Sequence, residues 1–286
     1  MATIHPGGEG AMIQRPPIHV AAYGGAGTRK STLFATFPPP IVVACFDSVG
    51  KDMPYWALGP VGEPLKNDYG GMTRLVGGGK LARLEYYHDP LVQSPRAAAR
   101  FIDRLTALPA EIKAGKVGTF VLETVTSAML TSRKMYQYDL EAGAKDPRKW
   151  YGGSVDVLEE ILMIQLPSLH CNVCIGLHVS KTKVEAEGSM VRAPLLPGRL
   201  MDTFASQWPE IYRCYIERDE ETGHKVGRIQ TIGDERWEAA TQIGAPDGVE
   251  GHYENLWGRW DKKIKKMSKV SGSETSGQAP GVVKEG

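Results

Sequence analysis

The 286-residue chain has few of the features that mark a specialised class of protein. No apolar run reaches the roughly 20 residues that a membrane-spanning helix needs. The first residues, MATIHPGGEGAMIQ, do not place a basic segment before an apolar one, so we expect no signal peptide. The net charge is only +1, which excludes a general attraction to nucleic acid and leaves local basic patches as the route to such binding.

Cysteine is scarce as well, with four residues at positions 45, 171, 174 and 214. That number is too low for a disulfide-stabilised scaffold and is typical of a reducing compartment, so we expect a cytoplasmic protein. Cys171 and Cys174 have the spacing of a zinc or redox pair, but they lie in the apolar run HCNVCIGLHV, and no second pair of cysteines is present. We interpret both as structural residues of a buried strand.

Hydrophobic residues make up 42% of the chain, which is enough for one large α/β domain. Short apolar runs bounded by glycine, proline or polar residues predict strands at Ile18–Tyr23, Ile41–Phe46, Gly118–Glu123 and Asn172–His178, and Arg83–Tyr87 is a further candidate strand. Helical patterns lie at Lys30–Phe37, Ser94–Lys113, 125–141, 154–166 and Tyr253–Trp260. Two alternating segments, Ile211–Arg218 and Val226–Ile232, predict an antiparallel hairpin, and residues 179–197 indicate an irregular hairpin or loop.

These elements predict a mostly parallel sheet with helices on both faces and an antiparallel C-terminal hairpin. We expect a flexible arm at residues 1–16, one domain at residues 17–261, and a disordered basic and polar tail at residues 262–286. Residues 48–80 are rich in glycine and proline and show no clear pattern, which indicates a functional insertion or small elements that the pattern does not show.

The segment AAYGGAGTRKST, residues 21–32, follows the first predicted strand and precedes the first predicted helix. It fits the phosphate-loop pattern G-x-x-x-x-G-K-[ST], with Gly24 opening it and Lys30 and Ser31 closing it. In such a loop, backbone N–H groups surround the phosphates, the lysine adds charge, and the hydroxyl holds Mg²⁺. The predicted nucleotide-binding residues are Gly24, Gly25, Ala26, Gly27, Thr28, Arg29, Lys30, Ser31 and Thr32.

Arg29 departs from this pattern because it stands where the second glycine is expected. A residue in the first turn of a helix can adopt helical dihedral angles, so we expect a side chain to be tolerated there. The arginine can point outward, lie along the phosphates as an extra cation, or crowd the loop.

Polar residues end three of the other predicted strands, and the carboxyl ends of parallel strands are where such sheets bind ligands. Glu123, in TFVLETVTS, is placed to hold Mg²⁺ together with Ser31. Asp47, in CFDSVGKD, is placed to activate water, and His178, in IGLHVSKTK, to sense the γ-phosphate. A turn aspartate, a solvent-facing acid and a rim histidine are the structural alternatives.

The order of YGGAGTRKST, VVACFDSVGKD, TFVLETVTSAM, CIGLHVSKTKVE, RAPLLPGRL and YRCYIERDEETGHKVGRIQT resembles the RecA-like ATP-binding proteins encoded by many bacteriophages. The resemblance covers about residues 16–260. It implies a RecA-like P-loop core that uses ATP and Mg²⁺, with catalytic residues at Asp47, Glu123 and His178. Glutamate at 123, where the family usually has aspartate, and arginine at 29 are the two departures, and both concern catalysis.

The resemblance also implies recombination or annealing of single-stranded DNA by a homo-oligomeric ring or filament in the host-cell cytoplasm, beside a single-strand binding protein. Lys181, Lys183, Arg192 and Arg199 are the candidate DNA contacts, and the first two can instead reach a neighbouring subunit's phosphate. A nucleotide-binding protein with little hydrolysis, which uses ATP as an assembly switch or structural ligand, is the main alternative. A small-molecule kinase is disfavoured because this sequence has no obvious arginine-rich substrate lid. A packaging ATPase is disfavoured because the chain has no room for a nuclease domain.

Overall fold

An eleven-stranded mixed sheet organises the chain in the computed structural model, which describes residues 15–47, 52–69, 71–89, 95–140, 142–143, 145–184, 189–198, 200–220, 223–262 and 264. The strands are β1 His19–Tyr23, β2 Ile41–Cys45, β3 Leu65–Lys66, β4 Met72–Val76, β5 Ala82–Tyr86, β6 Thr119–Glu123, β7 Asn172–Leu177, β8 Val179–Val184, β9 Ser189–Pro194, β10 Glu210–Arg218, β11 Lys225–Gln230, β12 Ala240–Thr241 and β13 Val249–Glu250. The α-helices are α1 Lys30–Phe34, α2 Met53–Trp56, α3 Ala97–Lys113, α4 Val125–Met135, α5 Pro147–Glu160, α6 Leu200–Thr203 and α7 Tyr253–Leu256. Within these described ranges, no helix is long and apolar enough to cross a membrane.

The sheet order is β13-β11-β10-β1-β7-β6-β2-β5-β4-β3, and β12 pairs with β10. The six strands from β10 to β5 are parallel, while both edges are antiparallel. The expected mostly parallel sheet and the antiparallel β10–β11 hairpin are therefore confirmed. The β8–β9 segment is also a hairpin, and it forms a separate two-stranded sheet.

Helices cover both faces of the sheet, as expected. Along each strand alternate residues enter opposite cores, so Ala21 and Tyr23 of β1 lie in one core and Val20 and Ala22 in the other. The first core contains side chains of α3, α4 and α5. The second contains side chains of α1, α2 and α7. The phosphate-loop helix therefore shares its face with the short helix of the 48–80 insertion.

The 48–80 insertion contains more structure than its sequence indicates. Its strands β3 and β4 extend the sheet beyond β5, and α2 lies ahead of them. Asp52 is buried and anchors α2, because its carboxylate accepts hydrogen bonds from the Tyr86 hydroxyl and from the Trp56 indole N–H. Glycine and proline hide these short elements from pattern analysis, since they break the periodicity on which it depends.

Two helix starts differ from the expected ones. Helix α3 begins at Ala97, because the Asp89 carboxylate accepts hydrogen bonds from the backbone N–H groups of Arg96 and Ala97, both at 2.8 Å. The expected cap, Ser94, lies outside the described residues. Helix α5 begins at Pro147 rather than at 154, and Asp146 caps it. Gly152 and Gly153 lie inside this helix.

The ends of the domain differ from the expected boundaries. Arg15, which the sequence assigns to the arm, forms ion pairs with Glu254 at 2.7 Å and with Asp261 at 2.8 Å. Its guanidinium also lies over the Trp257 ring, 5.4 Å from the ring centroid. The folded unit therefore includes Arg15, while most of the expected arm and tail lies outside the described residues.

A buried ion-pair network joins β5 to α3 on the first face. Both Glu85 carboxylate oxygens accept hydrogen bonds from Nε of Arg104, at 3.0 and 2.9 Å. Arg83 is paired with the same carboxylate at 2.8 Å, and the Tyr87 hydroxyl donates to it at 3.0 Å. Glu111 of α3 completes the network by pairing with Arg104. Every charge in this cluster has a partner, as buried charges require.

The four cysteines at 45, 171, 174 and 214 are buried and form no disulfide. No group of three or more histidine, cysteine or acidic side chains with metal-binding geometry occurs among the described residues. The structural interpretation of Cys171 and Cys174 agrees with this burial, because Cys174 lies in β7, the strand between β1 and β6, and Cys171 immediately precedes it.

Candidate functional site

The loop after β1 has a backbone path that requires glycine at its start. A Cβ atom on Gly24 would lie 2.5 Å from the carbonyl oxygen of Cys214 in β10. The Gly24 N–H donates to the Leu177 carbonyl at 3.3 Å, which ties the loop to β7. Gly27 has φ 75°, a left-handed value that glycine adopts without steric cost. The loop is therefore shaped by its contacts with both neighbouring strands.

Lys30 is buried, and its ammonium group lies within the loop. Its Nζ donates to the carbonyl oxygens of Gly24 and Gly25, each at 3.0 Å. These bonds hold the charge at the first turn of α1, where loop N–H groups and the helix N-terminus also favour an anion. A phosphate group bound here competes with the two carbonyls for this ammonium group.

Arg29 corrects the expectation of helical dihedral angles at this position. Its φ of 64° and ψ of 29° are left-handed, and it is the one non-glycine residue with positive φ among those the structure describes. This conformation costs an L-residue roughly 1–2 kcal/mol. The arginine stem packs on β11, since a Cβ on Gly227 would lie 2.9 Å from Arg29 Cδ. The loop thus keeps the conformation of the usual glycine, under strain.

A cavity of about 320 Å³ opens at the carboxyl ends of the central strands. It brings together every strand-end residue that the sequence predicts with most of the loop: its lining is Ala26, Gly27, Thr28, Arg29, Lys30, Ser31, Thr32, Asp47, Pro54, Glu123, Thr124 and His178. A volume near 300 Å³ is at the lower end of the range for small-molecule sites. The predicted groups therefore face one common space.

Glu123 lies at the floor of this site and is almost fully buried. Its carboxylate accepts a hydrogen bond from the Tyr55 hydroxyl at 3.1 Å, and Ser31 lines the same cavity. Burial raises the pKa of Glu123 to about 7, although the Ser31 and Tyr55 hydroxyls and the Lys30 charge act in the opposite direction. The carboxylate can therefore gain or lose a proton near neutral pH.

The donor set at Glu123 fits Mg²⁺. Mg²⁺ in nucleotide sites commonly takes one or two protein oxygens and completes its shell with phosphate oxygens and water. Ser31 and Glu123 supply a hydroxyl and a carboxylate oxygen, and both residues line the same cavity. The raised pKa indicates a carboxylate whose burial is incompletely compensated by the protein, and a bound cation would offset that cost.

Asp47 lies across from the start of α4. Its carboxylate accepts hydrogen bonds from the Ser127 hydroxyl and, at 3.3 Å, from the Thr124 hydroxyl. Thr124 also caps α4 by accepting from the Ser127 N–H at 3.3 Å. The two hydroxyls fix the orientation of the carboxylate at the cavity wall. Thr124 follows β6 directly, and Ser127 lies in the first turn of α4.

Tyr55 is the main residue of the site that the sequence did not reveal. It belongs to α2 of the 48–80 insertion and is fully buried, and its hydroxyl donates a hydrogen bond to the Glu123 carboxylate. Its neighbour Pro54 lines the cavity. The signal available in the sequence was weak: an aromatic residue after proline in MPYW, inside a segment without periodicity. The insertion therefore supplies one wall of the site.

His178 links the cavity to the β8–β9 hairpin. It lines the cavity directly before β8, and its carbonyl oxygen accepts from the Leu195 N–H at 2.8 Å just after β9. The predicted DNA contacts lie on or near this hairpin. Lys181 and Arg192 are paired opposite each other in its ladder, and Lys183 is on the same strand as Lys181. Arg192 is exposed, and Arg199 lies outside the described residues.

No family model and no curated protein matches the chain. Among solved structures, a KaiC-like protein from Pyrococcus horikoshii OT3 aligns with TM-score 0.36 and 12% identity, over 75% of this chain and 78% of that protein. A prototypical ATPase of the type III secretion system of pathogenic bacteria aligns with TM-score 0.42 and 15% identity, over 69% and 52%. EscN from enteropathogenic E. coli, solved with its central stalk EscO, aligns with TM-score 0.43 and 12% identity, over 94% and 57%.

The chain spans about half the length of the two secretion ATPases that it resembles. These likenesses are distant. The mixed α/β assignment stands on the strand order, the parallel core and the position of the loop between β1 and α1.

Proposed function

We propose that this protein binds ATP with Mg²⁺ at the loop between β1 and α1 and hydrolyses it. The observation that carries the proposal is the shared cavity, in which the loop faces Asp47, Glu123 and His178. If Asp47, Glu123 and His178 had only structural roles, nothing would require all three to line one cavity together with the loop. The convergence of four segments distant in sequence supports a nucleotide site at this edge of the sheet.

The roles of the residues follow from their positions. Backbone N–H groups of the loop and the N-terminus of α1 would bind the phosphates, and Lys30 would move from the Gly24 and Gly25 carbonyls onto them. Ser31 and Glu123 would hold Mg²⁺, which supplies charge neutralisation of the phosphate oxygens. Asp47, oriented by two hydroxyl groups, would accept the proton of the attacking water.

Binding without efficient hydrolysis is the second candidate function, and Arg29 favours it. A strained arginine at the loop stiffens the position at which other phosphate loops have glycine, and its stem is packed on Gly227 of β11. In this alternative ATP acts as an assembly switch or structural ligand. Turnover in the purified protein separates the two candidates.

We further propose the biological setting implied by the motif order: a phage-encoded protein of RecA-like type that acts on single-stranded DNA in the host cytoplasm. It would assemble into a ring or filament and work beside a single-strand binding protein. The exposed Arg192 and the hairpin with Lys181 and Lys183 support this setting, because they follow His178 directly in the chain. ATP turnover is then expected to rise when single-stranded DNA is added.

Calorimetric titration with ATP, with and without Mg²⁺, tests the proposal. Lys30→Ala is expected to abolish binding because it removes the cation of the loop. Lys116→Ala, a change of an exposed lysine after α3, is the matched control and should leave binding unchanged. Unchanged affinity in the Lys30→Ala variant would show that the loop is not the nucleotide site.

A further inference from the structure

Two arginines gather around one tryptophan outside the phosphate-loop cavity. The Arg213 guanidinium carbon lies 3.5 Å from the centroid of the Trp237 ring, and that of Arg192 lies 4.7 Å from it. We call these three residues the arginine–tryptophan cluster. Arg213 comes from β10, Arg192 from β9, and Trp237 from the segment that follows β11. Three separate segments therefore place two like charges together.

Neither guanidinium in this cluster is neutralised by an ion pair with a described carboxylate. Arg213 donates to the Gln230 side-chain oxygen at 2.8 Å and otherwise contacts the rings of Trp237 and Tyr215. Burial lowers the pKa of Arg213 and the Arg192 charge acts in the same direction, while Tyr23, Tyr215 and the Asp234 carboxylate act in the opposite direction, so one nearby acid faces two guanidinium groups. Arg228 lies on the same face of the adjoining strand but is paired with Glu217 at 3.0 Å. The cluster is thus a local excess of positive charge.

The cluster is held in place by amide contacts. The Asp234 carboxylate accepts from the backbone N–H groups of Arg236 and Trp237, at 2.8 and 2.9 Å. Its other oxygen accepts from the Gln230 amide at 2.9 Å. Asp234 therefore fixes the turn that carries the indole, and Gln230 connects that turn to Arg213. Such rigidity lowers the entropic cost of binding a ligand.

The cluster lies on the face of the sheet opposite α1. Cys214 packs with Leu33 and Phe34 in the second core, so the preceding residue, Arg213, faces the other side. Tyr23 connects it to the phosphate loop, since its hydroxyl donates to the Glu238 carbonyl at 2.5 Å and Gly24 is the next residue. Arg192 is also the ladder partner of Lys181. The cluster is therefore continuous with the hairpin and separate from the nucleotide cavity.

We propose that Arg192 and Arg213, held on Trp237, bind a phosphodiester group of single-stranded nucleic acid. Guanidinium groups present paired N–H donors that match phosphate oxygens, and here no carboxylate occupies them. Because Arg213 already stacks on the indole, the cluster offers charge more than an open ring face, which favours the backbone over a base. This proposal deepens the nucleic-acid part of the proposed function and is independent of the ATP site.

Fluorescence anisotropy with a labelled oligo-dT strand, measured without nucleotide over a range of salt concentrations, tests the proposal. Arg192→Gln and Arg213→Gln should each weaken binding roughly tenfold through loss of a charge-assisted hydrogen bond. Each should also reduce the slope of log affinity against log salt by about 0.7, the value for one phosphate contact on a single strand. Arg228→Gln removes an equal but paired charge and should leave the slope unchanged.

Two further measurements protect the interpretation. Arg213 is half-buried, so its glutamine variant needs a second variant beside it. Arg213→Lys keeps the positive charge without the planar guanidinium, and it should retain the wild-type salt slope and bind more tightly than Arg213→Gln. Circular dichroism and unfolding midpoints report whether each variant is folded. Arg192 is exposed, so its substitution is expected to leave the fold intact.

Oligo-dT binding with unchanged affinity and slope in both glutamine variants would overturn the cluster as the site while leaving DNA binding itself in place. Absence of oligo-dT binding by the wild-type protein at low salt would overturn both, and titration with ATP on the same preparation would still report the nucleotide site. A third outcome is that the variants bind DNA normally but lose an ATP turnover per subunit that rises with protein concentration in the wild type. The two arginines would then contact the phosphate of a nucleotide on a second copy of the chain, and the nucleic-acid assignment would be wrong.

Discussion

Glu85 and Glu123 lie on the two strands that flank β2, and both are buried, with 3% and 7% of their surface exposed. Their surroundings differ completely. Glu85 is enclosed by two arginines and a tyrosine. The Glu123 carboxylate accepts a hydrogen bond from the Tyr55 hydroxyl and borders the cavity that Ser31 also lines. The protein compensates the charge of Glu85 with its own cations, whereas we propose that a cation arriving with the ligand compensates Glu123.

This difference separates a structural acid from a functional one where composition and burial do not. The register pairs Glu85 with Ala44 and Glu123 with Cys45, so the two side chains lie on opposite faces of the sheet. Arg104 comes from α3, which covers one face of the sheet, and the loop leads into α1, which covers the other face. Substitutions that change the surroundings of one carboxylate at a time test whether the two acids differ in this way.

The largest effect is expected from Arg104→Met. It leaves the buried Glu85 charge with less compensation, and removal of one partner of a buried ion pair typically costs 3–5 kcal/mol of unfolding free energy. Urea unfolding measures the loss. ATP affinity of the folded variant should be unchanged, because the network is on the other face. An unfolding free energy within about 1 kcal/mol of wild type would mean that Glu85 is not held as a buried charge.

Glu123→Gln should abolish the Mg²⁺-dependent part of ATP binding and also change how stability depends on pH. In the wild type the folded-state pKa of about 7 exceeds the ordinary 4.5. The proton on Glu123 therefore contributes stability that is fully present below pH 4.5 and is lost as pH rises through 7, by on the order of 3 kcal/mol in total.

The glutamine cannot titrate, so the variant should gain stability relative to wild type between pH 5 and pH 8. Thermal unfolding without nucleotide at both pH values measures this. Parallel pH profiles for wild type and Glu123→Gln would contradict the assignment of Glu123 as the titrating acid.

Tyr55→Phe should have a smaller effect, confined to the Glu123 side. A hydrogen bond to a charged group contributes roughly 1.5–3 kcal/mol. The Tyr55 hydroxyl lowers the pKa of Glu123, so its loss should raise that pKa and move Mg²⁺-dependent ATP binding to higher pH. Affinity for ATP measured over pH 6–9 with and without Mg²⁺ tests this. A shift of equal size without Mg²⁺ would indicate general damage to the site.

The smallest effect on stability is expected from Arg29→Gly. Relief of the left-handed strain gains about 1–2 kcal/mol, and the greater freedom of glycine in the unfolded chain returns roughly 0.5–1 kcal/mol of that. Chemical unfolding should therefore show a net gain of at most about 1.5 kcal/mol. ATP turnover of the same variant is more informative: a rise means that Arg29 restrains the loop, and a fall means that the arginine takes part in binding.

The sequence predicted the parallel core and the carboxyl-end residues because both depend on local signals. An apolar run followed by GGAGTRKST, Asp47, Glu123 or His178 marks a strand end without reference to distant contacts. The site's remaining parts depend on contacts made in three dimensions. Tyr55 reaches Glu123 across 68 positions of sequence, and its helix has four residues, too short for a periodic pattern.

The two buried glutamates also show how far the sequence alone can predict a residue's role. Glu123 ends a strand before a helix, which is a recognisable position, whereas Glu85 lies inside the candidate strand Arg83–Tyr87, where nothing in the sequence marks its role. Its partner Arg104 lies 19 positions away on a helix. Whether an acid is neutralised by the protein or by a ligand is decided by such distant partners. Arg29 was misjudged for a related reason: its dihedral angles are set by the loop's attachment to β7 and β10.

The contact between Arg15 and Asp261 has a practical consequence for protein engineering. A 2.8 Å ion pair brings the first and last described parts of the chain to one corner of the fold. A short linker that joins residues 15 and 261 directly should therefore allow the described unit to be opened elsewhere as a circular permutant. A shortened chain that begins after residue 15 would lack the cation that covers Trp257.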